Sequence, residues 1–165
     1  MGFCLNHKTI QRLMDLLQLK AIGPKKRYRS YRGEVGRVAA NTLSRNFKAQ
    51  APHQKWVTDV TEFNLQGEKV YLSPVLDLYN QEVVAYQIEQ RPQFGLVMKM
   101  LDKALKRLNT EDRPVLHSDQ GWHYQMAGYQ NVLKDHGIQQ SMSRKGNCLD
   151  NAVMENFFGI LKKEF

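Results

Sequence analysis

Asp59, Asp119 and Glu155 are the residues whose types and places in this chain suggest chemistry. Asp59 interrupts a β-branched and aromatic run, KWVTDVTEF at 55–63, with Val57, Val60 and Phe63 around it. A charge inside such a run is unfavourable to bury unless something compensates it. Asp119 follows the short apolar stretch PVLHS at 114–118 and precedes the turn-former Gly121. Loop-facing strand ends are where α/β folds place their sites. Glu155 lies in a final amphipathic run. Met154, Phe158, Leu161 and Phe165 share one stripe of it, and Asn151, Glu155 and Lys162 share a neighbouring stripe. If the two strands are adjacent and the last helix packs across them, the three carboxylates meet and repel. Hard divalent cations relieve such repulsion. Two of them, typically about 3.5–4 Å apart, suit in-line displacement at phosphorus. Taken singly, each acid has an ordinary alternative: a turn cap for Asp59, an Asx-turn for Asp119, a surface position for Glu155.

Other groups compete for attention. His117, Ser118 and Asp119 are consecutive, so their side chains alternate across a strand and cannot line up as a hydrolase triad. His117 shares strand parity with Asp119 and reads as a packed, hydrogen-bonded histidine. Glu62 lies on the opposite face from Asp59. Trp56 and Phe63 read as core, Trp122 as closing its loop with stacking on DNA bases as the alternative, and Asn151 as a helix-start residue with a ligand role as the alternative.

The elements that must position these acids follow from periodicity. Residues 7–19 have apolar positions at helical spacing, ended by Gly23-Pro24. Residues 55–63, 70–78 and 82–89 read as three strands of an antiparallel meander, with Pro74 arguing for an edge position or a bulge in the second. A helix is expected over 93–108, a strand over 114–118, a helix over 124–136, a strand over 138–142 and a helix over 151–165. The loop 143–150, with Gly146, is expected to be flexible. The expected class is α/β: a five-stranded mixed sheet, three antiparallel strands plus two more, flanked by helices. The chain divides into an N-terminal helical segment at 1–23, a basic linker at 24–54 and a catalytic core at 55–165.

Charge separates the same regions. The net charge of +8 resolves into +10 over residues 1–55 and −2 over 56–165. The stretch KKRYRSYRGEVGR at 25–37 interleaves Lys25, Lys26, Arg27, Arg29 and Arg32 with Tyr28 and Tyr31. Such a segment suits a polyanion, with cations for phosphates and rings for bases or sugars; a merely solvated tail is the alternative. Cys4 and Cys148 form no CxxC and no disulfide framework. No apolar run is long enough to cross a bilayer, and the N-terminus is neither a signal nor a transit peptide, so a cytoplasmic location is expected.

Three segments, WVTDVTEF at 56–63, LHSDQGWHY at 116–124 and SRKGNCLDNAVMENFFGILKKE at 143–164, resemble the three motifs of the DDE transposases of insertion sequences, of the OrfB type, which share the integrase catalytic core of retroviral integrases. Thirty-five residues separate Asp119 from Glu155, the spacing of that family's D,D(35)E signature. The segment KRYRSYRGEVG at 26–36 also resembles the region ahead of the core in these proteins. The resemblance implies an RNase H-like fold, two Mg²⁺ or Mn²⁺ ions held by Asp59, Asp119 and Glu155, and cleavage and strand transfer on DNA by a multimer. It implies DNA contacts for Lys162 and for Arg144, Lys145 and Asn147 in the preceding loop. Family members extend further at both ends, so the chain resembles a truncated copy. Two rival readings are a remnant that binds DNA without chemistry and an RNase H-type nuclease on RNA–DNA hybrids; the basic arm and the acid spacing argue against the second.

Overall fold

Pro74 leaves its mark on the whole sheet. The computed structural model describes residues 6–19 and 36–164. In it the expected first strand is two: β1 (Lys55–Thr58) and β2 (Thr61–Leu65). Both pair antiparallel with the same long strand, β3 (Glu68–Asp77), in one continuous register: Thr58 faces Val75 and Thr61 faces Leu72. Asp59 therefore stands opposite Pro74. The Pro74 carbonyl is turned toward this strand and accepts from Thr58 Oγ1 at 2.8 Å. On that side proline has no N–H to give Asp59, so the ladder breaks there without slipping.

β3 is not an edge strand. β4 (Val83–Glu89) covers its other side, with the register irregularity between Val75 and Leu76, one residue beyond the proline. The edge expectation for Pro74 fails; the expected irregularity is present. The β2–β3 hairpin turns at Gln66 (φ 51) and Gly67 (φ 94), both left-handed as a two-residue hairpin loop requires. β5 (Val115–Ser118) runs parallel to β1, and β6 (Gln139–Met142) parallel to β5. The six strands are thus the expected five-stranded mixed sheet with its first strand cut in two.

Helices cover both faces. α2 (Phe94–Leu105) buries Leu96, and it packs Val97, Met100, Leu101 and Ala104 into one core with Trp56, Val75, Leu116 and Met142. Each fully buried residue of Leu or Val size contributes ~1.5–3 kcal/mol. The helix expected at 124–136 is broken into α3 (Trp122–Gln125) and α4 (Ala127–Asp135) by the extended Met126. The Gln125 carbonyl accepts from the backbone N–H of Arg37, which draws it out of the helical ladder. On the other face α5 (Ala152–Leu161) follows a 3₁₀ turn (Cys148–Asn151) and buries Met154 and Phe158 against Leu43, Val57 and Leu76. Met154 and Phe158 of its stripe therefore pack as expected, Leu161 is half-buried, and Phe165 lies outside the described residues.

α1 (His7–Leu16) starts at Asn6, whose side chain accepts from Lys8 N–H, and buries none of its residues. Of the expected linker at 24–54, residues 36–54 are described, and they lie against the sheet rather than apart from it. Leu43 is in the core, Met142 N–H donates to the Ala40 carbonyl, and Thr42 and Leu43 N–H both donate to Ser141 Oγ. Among the described residues no helix is long and apolar enough to cross a membrane.

Candidate active site

The parallel register that pairs Trp56 with Leu116 and Val57 with His117 carries on to set Asp59 beside Asp119. Both acids thus leave the carboxyl ends of adjacent parallel strands, where such sheets open to ligands. Both share the parity of Val57, whose side chain packs under α5. Burial first, then the charge of Asp119 and to a lesser degree that of Glu155, together raise the Asp59 carboxyl from near 3.8 to about 7 against the pull of its two hydrogen-bond donors. Asp119 is likewise pushed up, first by burial, against the opposing pull of the Gly121 N–H and of His123. Each shift says that the charged forms lack compensation.

The carboxyls are aimed by few donors. Asp59 Oδ1 accepts from the Val60 N–H at 2.7 Å, an amide beside the gap in the β1–β2 ladder. Asp59 Oδ2 accepts from Asn151 Nδ2 at 2.9 Å. Asp119 Oδ1 accepts from the Gly121 N–H at 2.8 Å. A Cβ on Gly121 would lie 2.8 Å from that same oxygen, so only glycine lets the carboxyl rest there. Glu155 sits in the first turn of α5, exposed, with its charge felt at Asp59. The structure therefore brings Asp59 and Asp119 together with Glu155 nearby. Among the described residues no three His, Cys, Asp or Glu side chains form a ready-made metal cluster.

His117 is the packed histidine expected from its position. It is fully buried, with Nδ1 2.8 Å from Ser141 Oγ and Nε2 2.9 Å from the Asp150 carbonyl, and burial lowers its proton affinity. Glu62 is on the far face, exposed and paired with Lys69 and Tyr71. Asn151 takes the helix-start position expected of it, but its side chain caps nothing there and reaches Asp59 instead, leaving Oδ1 buried without a hydrogen-bond partner.

The loop expected to be flexible is braced. Arg144 makes two side-chain bonds to Asp150, one to each carboxylate oxygen, both at 2.9 Å. Asn147 Oδ1 accepts from Arg45 Nη2 at 2.9 Å. Lys145 is exposed, and Lys162, at the end of α5, holds its Nζ 5.5 Å from the centre of the Phe63 ring. Lys25, Lys26, Arg27, Arg29 and Arg32 lie outside the described residues. Sequence reasoning missed Asp150, Asn41 and Arg45. Asp150 is a buried acid bonded by Asn41 and both arginines, and Arg144 first, then Arg45, hold its carboxyl well below the usual carboxylate range. No spacing pattern marks these three.

The mixed sheet, with parallel β1 and β5 side by side and helices on both faces, has the RNase H-like arrangement. Residues 49–148 match the family model described as "Integrase core domain", and the chain belongs to that family, in its insertion-sequence transposase branch. It is 64% identical over 163 residues to the putative transposase InsK for insertion sequence element IS150 of Escherichia coli K12, covering 99% of this chain and 58% of that protein. It is 54% identical over 160 residues to an uncharacterized transposase-like protein of Haemophilus influenzae, covering 97% of this chain and 74% of that one. The fold is similar to that of the HTLV-2 integrase catalytic core domain, solved in complex with magnesium in a trimeric form. The TM-score is 0.57 at 18% identity, over 70% of this chain and 71% of that one.

Proposed function

We propose that this chain is the metal-dependent catalytic core of an insertion-sequence transposase, cutting DNA at the element's ends and joining the freed strand to a target. The observation that carries the reading is the pairing of Asp59 with Asp119, each with its proton affinity raised. The donor set fits divalent cations: two enclosed carboxyls that repel, a third acid on α5, and a buried amide oxygen on Asn151 without a partner. Asp59, Asp119 and Glu155 are the residues that would hold Mg²⁺ or Mn²⁺, as a pair of ions. When bound, the ions supply Lewis acidity for in-line displacement at phosphorus.

The chain's own residues do the rest. The strand ends fix two carboxyls side by side, Gly121 leaves Asp119 room to turn, and Asn151 orients Asp59. In the first reaction a water oxygen displaces the 3′ oxygen of a phosphodiester. In the second, the 3′-OH so released displaces the 3′ oxygen of a target phosphodiester. Lys145 and Lys162 are suited to phosphate contacts beside the site. Arg144 and Asn147 would have to serve DNA while bonded within the protein. The arm at 25–32 adds salt-sensitive affinity. DNA and further copies of the chain are the partners in this reading, and the bacterial cytoplasm is its place.

The test is cleavage and strand transfer on DNA carrying the element's ends, with Mg²⁺ added. Asp59→Asn, Asp119→Asn and Glu155→Gln are each expected to lower the rate at least about 100-fold while leaving DNA binding intact. A wild-type chain that binds this DNA and does not cut it, alone or with Mn²⁺, makes the protein a DNA-binding module without chemistry. Cleavage confined to RNA–DNA hybrids makes it a different nuclease.

A further inference from the structure

Asp150 has no part in the chemistry above, yet no other acid among the described residues has so many hydrogen-bond donors. Its carboxylate is out of solvent, at 0% side-chain exposure. Oδ1 accepts from Arg45 Nε and Arg144 Nη2, both at 2.9 Å. Oδ2 accepts from Asn41 Nδ2 and Arg144 Nε at 2.9 Å, and from the Arg144 backbone N–H at 3.0 Å. Charge-assisted bonds of this kind are short and directional, and a forked guanidinium adds geometric specificity.

The main chain of the same residue is tied as well. Ser141 Oγ accepts the N–H groups of Thr42 and Leu43, at 3.0 and 3.1 Å, which occupies both its lone pairs. Its own proton is left for His117 Nδ1 at 2.8 Å. His117 is then the Nε2–H tautomer, and that proton faces the Asp150 carbonyl at 2.9 Å and Ser143 Oγ at 3.1 Å. Three parts of the fold thus converge on one residue: the segment 41–45, the loop before α5, and β5 two residues ahead of Asp119. The next residue in the chain is Asn151, which donates to Asp59.

We propose that Asp150 is a positioning residue: by locking the start of α5 to the segment 41–45 and to β5, it holds the Asn151 amide on Asp59 and so sets the orientation of that carboxyl. The inference rests on reading Asp59 as part of the active site. It makes Arg45, which precedes the core in sequence, a remote brace of the reacting centre. The same anchor fixes the helical turn that carries Glu155, five residues on.

The test uses the full chain and Arg45→Ala, Arg45→Lys, Asn151→Ala and Asp150→Asn. The first readout is the Asn151 side-chain amide pair in ¹⁵N–¹H spectra of the metal-free protein, with Asn151→Ala giving the assignment. Arg45→Ala is expected to move both protons toward the shifts of a free amide while core amides stay in place, and Arg45→Lys to restore most of the difference. The second is Mn²⁺ affinity, expected to fall roughly tenfold in Arg45→Ala, and the third is DNA cutting, expected to lose kcat at unchanged KM. Unmoved Asn151 signals with Mn²⁺ affinity within about twofold of wild type, in folded Arg45→Ala, overturn the proposal. So does a loss confined to KM and its salt dependence, which would mark Arg45 as a phosphate contact. If Asp150→Asn fails to fold, Arg45→Ala decides alone. If Asp59→Asn binds Mn²⁺ as the wild type does, the reading of the active site fails, and the amide signals still judge the brace separately.

Discussion

Asp150, which is buried, and Asp59, which is half-buried, are acids linked through a single residue, Asn151, and they are held in opposite ways. Asp150 collects two guanidinium groups, an amide and a backbone N–H, and its carboxyl is held well below the usual range. Asp59 has one backbone N–H and one amide, faces Asp119, and is pushed up to about 7. An acid surrounded by donors belongs to the scaffold. An acid left short of donors beside a second acid stores electrostatic repulsion that a cation can relieve. The two lie close enough that the saturated acid can aim the unsaturated one.

The largest effect that would break this contrast is the loss of Asp150. Asp150→Ala leaves Arg144 and Arg45 around an empty acceptor site. It is expected to lower the urea midpoint more than Asp59→Ala does; the reverse order in equilibrium unfolding would abolish the distinction. Next is Asp59→Asn in chelator at pH 8, expected to stabilise the chain by ~2–4 kcal/mol by removing an uncompensated charge. An unchanged or lower urea midpoint would mean that Asp59 is already neutralised by its surroundings.

The pH dependence sharpens the comparison, because the two acids act with opposite sign. The raised Asp59 makes the folded state bind a proton more tightly than the unfolded one between about pH 4 and 7, so its contribution to stability falls as pH rises through that window. The depressed Asp150 contributes stability above its ordinary value near 3.8, and this is lost as pH falls below it toward the lowered folded value. In chelator, Asp59→Asn is expected to flatten the limb from pH 4 to 7 and leave the acid limb; Arg144→Ala is expected to move the onset of acid unfolding upward. Thermal unfolding across pH reads both. The smallest effect is expected for Gly121→Ala, whose new Cβ would displace the Asp119 carboxyl. Stability should change by less than ~1 kcal/mol while cutting slows roughly tenfold. Full activity would show that the carboxyl has room to spare.

Much of this was legible from residue types and spacing. The charge within 55–63, the acid after 114–118 and the stripe of the last helix depend on local periodicity, and the sheet and α5 follow it. The division of the first strand was not legible, since it depends on which residue of a distant strand stands opposite Asp59. The break at Met126 depends on a bond from Arg37, and the packing of residues 36–54 on Leu43, Ser141 and Met142 meeting across the fold. Asp150 looked like any polar loop residue because its partners Asn41 and Arg45 lie more than a hundred positions away. Asn151 has the composition of a helix cap, and only the position of Asp59 reveals its other use.

The gap opposite Pro74 has one more consequence. A mismatch made by side-chain packing can heal when neighbours shift, but an imino acid carries its defect in the covalent chain. No change of temperature, acidity or ligand can supply the missing proton. The aperture beside Asp59 is therefore inherited with the polypeptide itself, present from the moment the hairpin zips past it.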